Sequence, residues 1–269
     1  METFGTFEHG AWQKVGKAYD DFFGSLTTQS IEPLLDAAGI SRGTRLLDIA
    51  TGPGYVAAAA ARRGATVTGL DFSSQMVALA SSRYPDISFR EGNAEALPFA
   101  DESFDAVVIC FGLLHFPDAD QALREAFRVL RHGGRLGISV WAPADRAVGF
   151  GIVLDAVQAH GNTNVGLPPG PSFFRFSDPQ ECRRTLEATG FTDPRSIEVS
   201  QTWRFASVTD WIEGVERSTV RTAAILRAQT AQDYSSIRAA VEERGRNYVR
   251  SDGRVELPMP AVLTSAKKP

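Results

Sequence analysis

The chain has 269 residues, 43% of them hydrophobic, and a formal net charge of -4 from 28 basic and 32 acidic residues. That hydrophobic content suffices for a packed core, and the acidic balance supplies no positive field to hold a nucleic acid. Cys110 and Cys182 lack paired Cys or His spacing, so neither a disulfide framework nor a metal site is predicted. No basic-then-apolar leader and no run of about eighteen apolar residues occurs, so we expect a cytoplasmic protein without a membrane span.

The amino-terminal segment, residues 1–40, is predicted to form a helical flap. Helical spacing covers residues 11–39, where Trp12, Tyr19 and Phe22 interrupt a largely polar pattern. Because these residues precede the first strand pattern, we expect them to cover the body of the protein as a lid.

Short β-rich runs alternate with helical patterns between residues 45 and 141. The strand-like runs are "RLLDIA", "TVTGLD", "ISFREG", "FDAVVICFG" and "GRLGISVW". Such alternation is typical of a parallel sheet with helices on both faces. Residues 41–142 are therefore predicted to be the ligand-binding core.

The alternation stops after Trp141, and residues 143–269 form a different half. A loop rich in proline and glycine, "GLPPGPSFFRF", leads to a helix in "SDPQECRRTLEATGF". The segments "RSIEVSQTWRF" and "RVELPMPAVLT" each alternate like one antiparallel strand, and Pro258 and Pro260 place part of the second at an edge. A polar, largely helical insertion is predicted between them, at about residues 208–248.

The turn "ATGPG" follows the first strand of the core. Ligands of parallel sheets bind beyond the carboxyl ends of the strands, and Gly52 and Gly54 let the main chain approach a ligand closely. The next helix directs its first amides toward the same place. The pattern also fits a dinucleotide-binding turn, or a tight strand-to-helix turn with no ligand.

Two further features follow in chain order. Asp71 ends the second strand, where a carboxylate can accept hydrogen bonds from both hydroxyls of a ribose. Gly92, Asn93 and Ala94 follow the third strand, and "FDAVVICFG" supplies the fourth. This ordered set resembles the class I S-adenosylmethionine-dependent methyltransferases, especially the branch similar to ubiquinone and menaquinone biosynthesis methyltransferases.

The resemblance is strong over residues 45–141 and weak in the flanks. It implies one α/β domain over residues 1–269: a doubly wound, mostly parallel, seven-stranded Rossmann-like sheet with an antiparallel C-terminal hairpin and helical insertions. It implies S-adenosyl-L-methionine as cofactor and S-adenosyl-L-homocysteine as product. The expected activity is methylation, on oxygen or carbon, of a small molecule that is aromatic or quinone-like.

Positions of the family's cofactor loop carry over to this sequence one by one. Asp48, Ala50, Gly52 and Gly54 match the loop along the methionine and ribose, and Asp71 matches the acid that binds the ribose hydroxyls. Asp48 is expected to hold the loop or to favour the positive end of the ligand. Ala50 replaces a glycine, which is tolerable if the residue keeps ordinary strand angles.

The other implied cofactor contacts come from several elements. They are Phe72 and Met76 beside the adenine, Asn93 and Ala94 near its amine, Cys110 and Phe111 beside the methionine, and Tyr19 toward the cofactor carboxylate. Asn93 replaces the usual aspartate, so it accepts a hydrogen bond without a charge, and somewhat weaker cofactor binding is expected.

His115, in "FGLLHFPD", follows the fourth strand at the cofactor end of the sheet. If the acceptor is a hydroxyl, His115 is the candidate catalytic base. The alternative is a histidine that bonds a loop carbonyl or packs beside the cofactor. Cys110 is not favoured as a nucleophile, because no basic partner is evident.

The candidate substrate pocket is aromatic. Its residues are Phe173, Phe174, Phe176, Trp203 and Trp211. Such walls suit a planar or lipid-like acceptor, and the alternative is a core beneath the helical insertion. The insertion suits a solvated or subunit-facing surface, so a homodimer stays open.

Two other function classes stay open at this stage. An NAD(P)-dependent oxidoreductase shares the glycine turn and the acid of the second strand. Its fold continues with a second mononucleotide-binding half, whereas this chain finishes with alternating strands around an insertion. The other alternative is a non-catalytic scaffold that binds the cofactor.

Overall fold

The computed structural model describes residues 2–269, and its centre is a seven-stranded sheet. The strands of this sheet are β1 (Arg45–Ile49), β2 (Thr66–Asp71), β3 (Ser88–Glu91), β4 (Phe104–Cys110), β5 (Leu130–Trp141), β6 (Thr192–Val199) and β9 (Ala261–Lys267). Their order is β3-β2-β1-β4-β5-β9-β6, and only β9 runs antiparallel to its neighbours. The predicted α/β sheet is confirmed.

Helices cover both faces of the sheet. They are α1 (Phe4–Thr27), α2 (Ile31–Ala37), α3 (Tyr55–Arg62), α4 (Ser74–Arg83), α5 (Ala119–Val129), α6 (Val148–His160), α7 (Pro179–Thr189), α8 (Val208–Ser218), α9 (Arg221–Arg227) and α10 (Ala231–Gly245). The central strands β1 and β4 are almost continuously buried and apolar, as parallel strands covered on both faces must be.

The two alternating segments of the second half differ from the prediction, because each contributes two strands. Besides β6 and β9, they form β7 (Thr202–Phe205) and β8 (Val255–Pro258), which pair as a separate antiparallel hairpin. Pro258 and Pro260 lack an amide hydrogen, so neither can donate to a ladder, and the chain changes sheets between them.

Helix α1 extends the predicted flap toward the amino terminus. It begins at Phe4, where the Thr3 side chain accepts a hydrogen bond from the Thr6 amide. It packs against α4 and α8, and Glu8, Trp12 and Phe23 are buried on its inner face. Within residues 2–269, no helix combines the length and apolar character needed to cross a membrane.

Candidate functional site

The carboxyl ends of three neighbouring strands form the edge at which the candidate site lies. Ile49 pairs with Leu70 of β2 and with Ile109 of β4, so Asp71 and Cys110 follow at the same level. We call this the carboxyl edge.

The turn after β1 is held in an unusual backbone conformation. Ala50, Gly52 and Gly54 have φ angles of 56°, 52° and 85°, all in the left-handed region. The expectation that Ala50 keeps ordinary strand angles is therefore wrong. The Thr51 amide donates to the Leu70 carbonyl, which ties the turn to β2 and fixes the path that Ala50 must follow.

Ala50 provides a test of this strain. Ala50→Gly removes about 1–2 kcal/mol of strain from the left-handed backbone, which stabilises the folded state. It also adds conformational entropy to the unfolded chain, which destabilises the folded state by about 0.4–1 kcal/mol. We expect the free energy of unfolding, measured by urea denaturation, to rise by roughly 0.5–1 kcal/mol. Gly52→Ala is the matched reverse change, because a Cβ there meets no atom within 4 Å, and it should destabilise. A destabilised Ala50→Gly protein would contradict the strain assignment.

Asp48 is a fully buried carboxyl at the end of β1. Its Oδ2 accepts a hydrogen bond of 2.6 Å from the Thr51 hydroxyl, whereas Oδ1 has no partner among residues 2–269. Burial raises its pKa to about 7. An orphaned buried carboxylate oxygen fits a cationic group of a ligand, and the contact to Thr51 shows that Asp48 also braces the turn.

The raised pKa of Asp48 predicts a pH effect on stability. The unfolded chain loses this proton near pH 3.8 and the folded chain near pH 7, so ionisation of Asp48 lowers the free energy of unfolding as pH rises between these values. Asp48→Asn cannot ionise. The difference in free energy of unfolding between Asp48→Asn and the wild type should therefore shift in favour of the variant, by at least about 1.4 kcal/mol from pH 4 to pH 8. This amount is the equivalent of one pKa unit. Asp21→Asn, on the exposed face of α1, serves as control, and equal differences at both pH values would disprove the assignment.

Asp71 connects the turn to the next helix. Its Oδ2 accepts from the Gly52 amide and its Oδ1 from the Ser73 amide, both at 2.9 Å. Burial raises its pKa to about 6. Each carboxylate oxygen keeps a second lone pair, so the geometry leaves Asp71 able to accept from two ligand hydroxyls.

A cavity of about 550 Å³, which we call the large cavity, opens at the carboxyl edge. Ala50, Phe72, Asn93, Ala94 and His115 line it, whereas Asp71 lies between the lining residues Leu70 and Phe72 in the chain and is not itself a lining residue. This volume falls within the range of roughly 300–1,000 Å³ of small-molecule sites. The large cavity therefore suits a nucleoside-sized ligand.

Asn93 and Met76 differ in their relation to the large cavity. The Asn93 Oδ1 accepts from the Glu95 amide at 2.9 Å, so one of its acceptor positions is already used. Met76 is buried with Trp12 and Val220 and lines neither cavity of the site; it supports the seat of α1.

A second, smaller cavity lies beneath α1, with a volume of about 70 Å³; we call it the aromatic pocket. Its aromatic walls are Trp12, Tyr19, Phe23, Phe111, Trp141, Phe150 and Phe173. Its polar end consists of Ser218, Thr219, Arg221 and Thr222. These walls suit a planar ring that carries polar substituents.

Tyr19, Cys110 and Phe111 lie where α1 meets the end of β4. Phe111 has a φ of 55° and stacks on Trp141 at 4.0 Å between ring centroids. Burial raises the pKa of Tyr19, and it raises the pKa of Cys110 to about 12. Cys110 is therefore a neutral thiol, whose sulfur accepts from the Ser139 hydroxyl, and not an activated nucleophile.

The aromatic residues predicted for the substrate pocket are divided by the structure. Phe173 lines the aromatic pocket, and Phe174 packs against Phe173 behind it. Phe176, Trp203 and Trp211 are at most 4% exposed and line neither cavity. Trp203 and Trp211 fill the core beneath the insertion, whereas Phe176 packs in the core of the central sheet with Cys182 and Leu186.

His115 borders both cavities. It ends a short 3-10 turn after β4, and its Nδ1 lies 2.9 Å from Oε2 of Glu8. The ring meets Trp12 edge-on at 4.9 Å. Among the lining residues of the two cavities within residues 2–269, only His115 is common to both. His115 therefore marks their junction.

Sequence reasoning missed Glu8 and much of the aromatic pocket. Glu8, Trp12, Tyr19 and Phe23 follow one another at steps of four and seven residues, which places them on one face of a helix. That spacing could have indicated an inner face. Trp141 and Phe150 reach the pocket from β5 and α6, and no local pattern connects them to α1.

Comparisons with known proteins agree with this geometry. Residues 47–138 match the family model described as a methyltransferase domain. The demethylmenaquinone methyltransferase of Beutenbergia cavernae is 46% identical over 121 residues, which is 43% of this chain and 50% of that protein. The chain thus spans about half the length of the curated relatives it matches.

Solved structures share the fold at low sequence identity. The YcgJ protein of Bacillus subtilis superposes with a TM-score of 0.59 and 22% identity, over 89% of this chain and 97% of that one. A phosphoethanolamine N-methyltransferase of Haemonchus contortus, in complex with S-adenosylhomocysteine, gives 0.60 and 20% over 99% of this chain and 60% of that one. Residues 47–138 are therefore similar to a methyltransferase domain, and the chain shares the fold of these solved structures.

Proposed function

We propose that this protein transfers a methyl group from S-adenosylmethionine to an oxygen or carbon of a small aromatic or quinone-like acceptor. The observation that carries the proposal is the position of His115 between a nucleoside-sized cavity and an aromatic pocket. The similarity to demethylmenaquinone methyltransferases supports a ring-shaped acceptor.

The residues at the carboxyl edge fit the cofactor. Asp71 would bind the ribose hydroxyls, while Phe72, Asn93 and Ala94 would surround the adenine. The unpartnered Oδ1 of Asp48 suits a positively charged group near the turn. When bound, S-adenosylmethionine supplies a methyl group that is already activated by a cationic sulfur.

The contribution of the protein is then mainly to align the acceptor and to exclude water. Positioning of this kind lowers a barrier by roughly 7–11 kcal/mol. The aromatic walls hold a planar ring and remove water from it. For a hydroxyl acceptor, His115 takes the proton released on methylation and later returns it to water, which adds about 10²–10⁴-fold.

The polar end of the aromatic pocket favours an acceptor with polar substituents. Arg221 lines this end and lies over the rings of Phe4 and Phe7, at 5.5 and 5.9 Å from their centroids. Its Nη1 donates to the Pro168 carbonyl, and no carboxylate of residues 2–269 forms a salt bridge with it. A quinol or phenol with an acidic or carbonyl group would meet this guanidinium.

The activity test is transfer of labelled methyl from S-adenosylmethionine to a panel of quinols and hydroxylated aromatic acids, with release of S-adenosylhomocysteine as the readout. Thermal shift with S-adenosylhomocysteine and with NADH accompanies it. Labelled product and stabilisation by S-adenosylhomocysteine are expected. Stabilisation by NADH alone would overturn the proposal in favour of an oxidoreductase.

A further inference from the structure

Glu8 is a buried carboxylate that contacts the proposed base, His115. It lies on the inner face of α1 and is 1% exposed. Its Oε2 accepts a hydrogen bond of 3.0 Å from Trp12 Nε1 and lies 2.9 Å from His115 Nδ1. Within residues 2–269 it forms no salt bridge with a lysine or arginine, and His115 is its one potential cationic partner.

A buried carboxylate in such surroundings is costly. Removal of a charge from water costs several kcal/mol in effective terms unless a partner compensates it. The Trp12 indole contributes one neutral hydrogen bond, which an amide side chain would also receive. The hydrogen bond from Trp12 thus explains why residue 8 has a hydrogen-bond acceptor, but it does not explain why that residue is a charged glutamate.

The contact also defines the protonation of the imidazole. Because a carboxylate oxygen accepts hydrogen bonds, the Nδ1 of a neutral His115 carries the hydrogen and donates it to Glu8. The lone pair of the neutral ring then resides on Nε2, which makes no hydrogen bond within residues 2–269. The ring also meets the Trp12 indole edge-on, with centroids at 4.9 Å.

We infer that Glu8 is a positioning residue for His115: it fixes the tautomer in which Nε2 is the base, and it stabilises the imidazolium formed when Nε2 takes the acceptor proton. This inference rests on the proposed function. Since Glu8 belongs to α1, the methyl-transfer site is complete only when the amino-terminal helix is seated over the carboxyl edge.

The balance of the proton is simple. The acceptor hydroxyl loses its proton to Nε2 as its oxygen receives the methyl carbon, and the electron pair of the broken carbon–sulfur bond stays with sulfur. The positive charge that leaves the sulfur thus reappears on His115, beside the Glu8 carboxylate, and is lost when Nε2 releases the proton to water.

The first test needs neither cofactor nor acceptor. Long-range ¹H–¹⁵N correlation spectra of the wild-type protein, above the pH at which the ring is charged, report which nitrogen of His115 carries hydrogen. We expect the Nδ1–H tautomer. A predominant Nε2–H tautomer would overturn the inference, because Nε2 would then have no lone pair for the acceptor proton.

The second test is Glu8→Gln, which keeps an oxygen to accept from Trp12 and removes only the charge. We expect kcat to fall about 10–100-fold, by analogy with loss of the carboxylate that orients a metal-binding histidine, with KM and S-adenosylhomocysteine affinity unchanged. Asp21→Asn makes the same acid-to-amide change on the exposed side of α1 and should leave kcat unchanged. An unchanged kcat in Glu8→Gln would overturn the inference. Failure of the wild type to bind S-adenosylhomocysteine would instead count against the proposed function. The tautomer measurement does not depend on cofactor binding, so the two failures can be told apart.

Discussion

Replacement of His115 by alanine is expected to lower kcat for a hydroxyl acceptor by about 10²–10⁴-fold, the usual contribution of a general base. Affinity for S-adenosylhomocysteine should change less than kcat, because the proposed ribose and adenine contacts come from Asp71, Phe72, Asn93 and Ala94. His115 is the one lining residue that the two cavities share, so its imidazole lies where the acceptor proton would be released.

The measurement is steady-state kinetics together with calorimetric titration of S-adenosylhomocysteine. His160→Ala is the control, since His160 is exposed at the end of α6. If His115→Ala raised KM and left kcat intact, His115 would serve to pack the acceptor and not to accept its proton.

Replacement of Asp71 by alanine is expected to weaken S-adenosylhomocysteine binding by roughly 10²–10⁴-fold, since two hydrogen bonds to a charged group are worth about 1.5–3 kcal/mol each. The change also frees the Gly52 amide, which Asp71 holds at 2.9 Å. Part of the loss should therefore come from a loosened turn.

Calorimetry measures the binding, and Asp105→Ala is the matched control. Asp105 likewise accepts from a backbone amide, that of Arg45 at 2.8 Å, but at the opposite edge of the sheet. Both variants should lose some stability, and only Asp71→Ala should lose the ligand. Equal affinity in wild type and Asp71→Ala would refute the ribose role.

Local sequence signals were sufficient for the core of the fold. Buried strands such as β1 and β4 are mostly apolar. Asp118 and Asp178 cap helices α5 and α7 by accepting hydrogen bonds from the amides of Gln121 and Gln180. These features depend on neighbours a few residues away. The order of the turn, Asp71 and the fourth strand therefore predicted the carboxyl edge and its cavity.

The acceptor side depends on contacts between distant elements. Trp203 and Phe173 are both aromatic residues that could form a pocket wall. Trp203 instead packs against Phe22 and Phe23 of α1, with ring centroids 4.7 and 4.8 Å apart, whereas Phe173 lines the aromatic pocket. Only the seat of α1 decides between these outcomes. For the same reason the contact between Glu8 and His115, 107 positions apart, has no signature in the sequence.

The left-handed Ala50 shows a different limit. Nothing in its side chain indicates a positive φ, and the family resemblance marks the position only as one where glycine is usual. The conformation follows from the closure of the turn between β1 and α3, with Asp71 holding Gly52. Backbone strain of this kind is set by tertiary structure and is not visible in local composition.

The most direct test of the account is a crystal structure of the chain with S-adenosylhomocysteine. We expect the adenosine in the large cavity, its ribose hydroxyls hydrogen-bonded to Asp71, and the sulfur directed toward His115 and the aromatic pocket. Density for the ligand at any other place, or a ribose that makes no contact with Asp71, would contradict it.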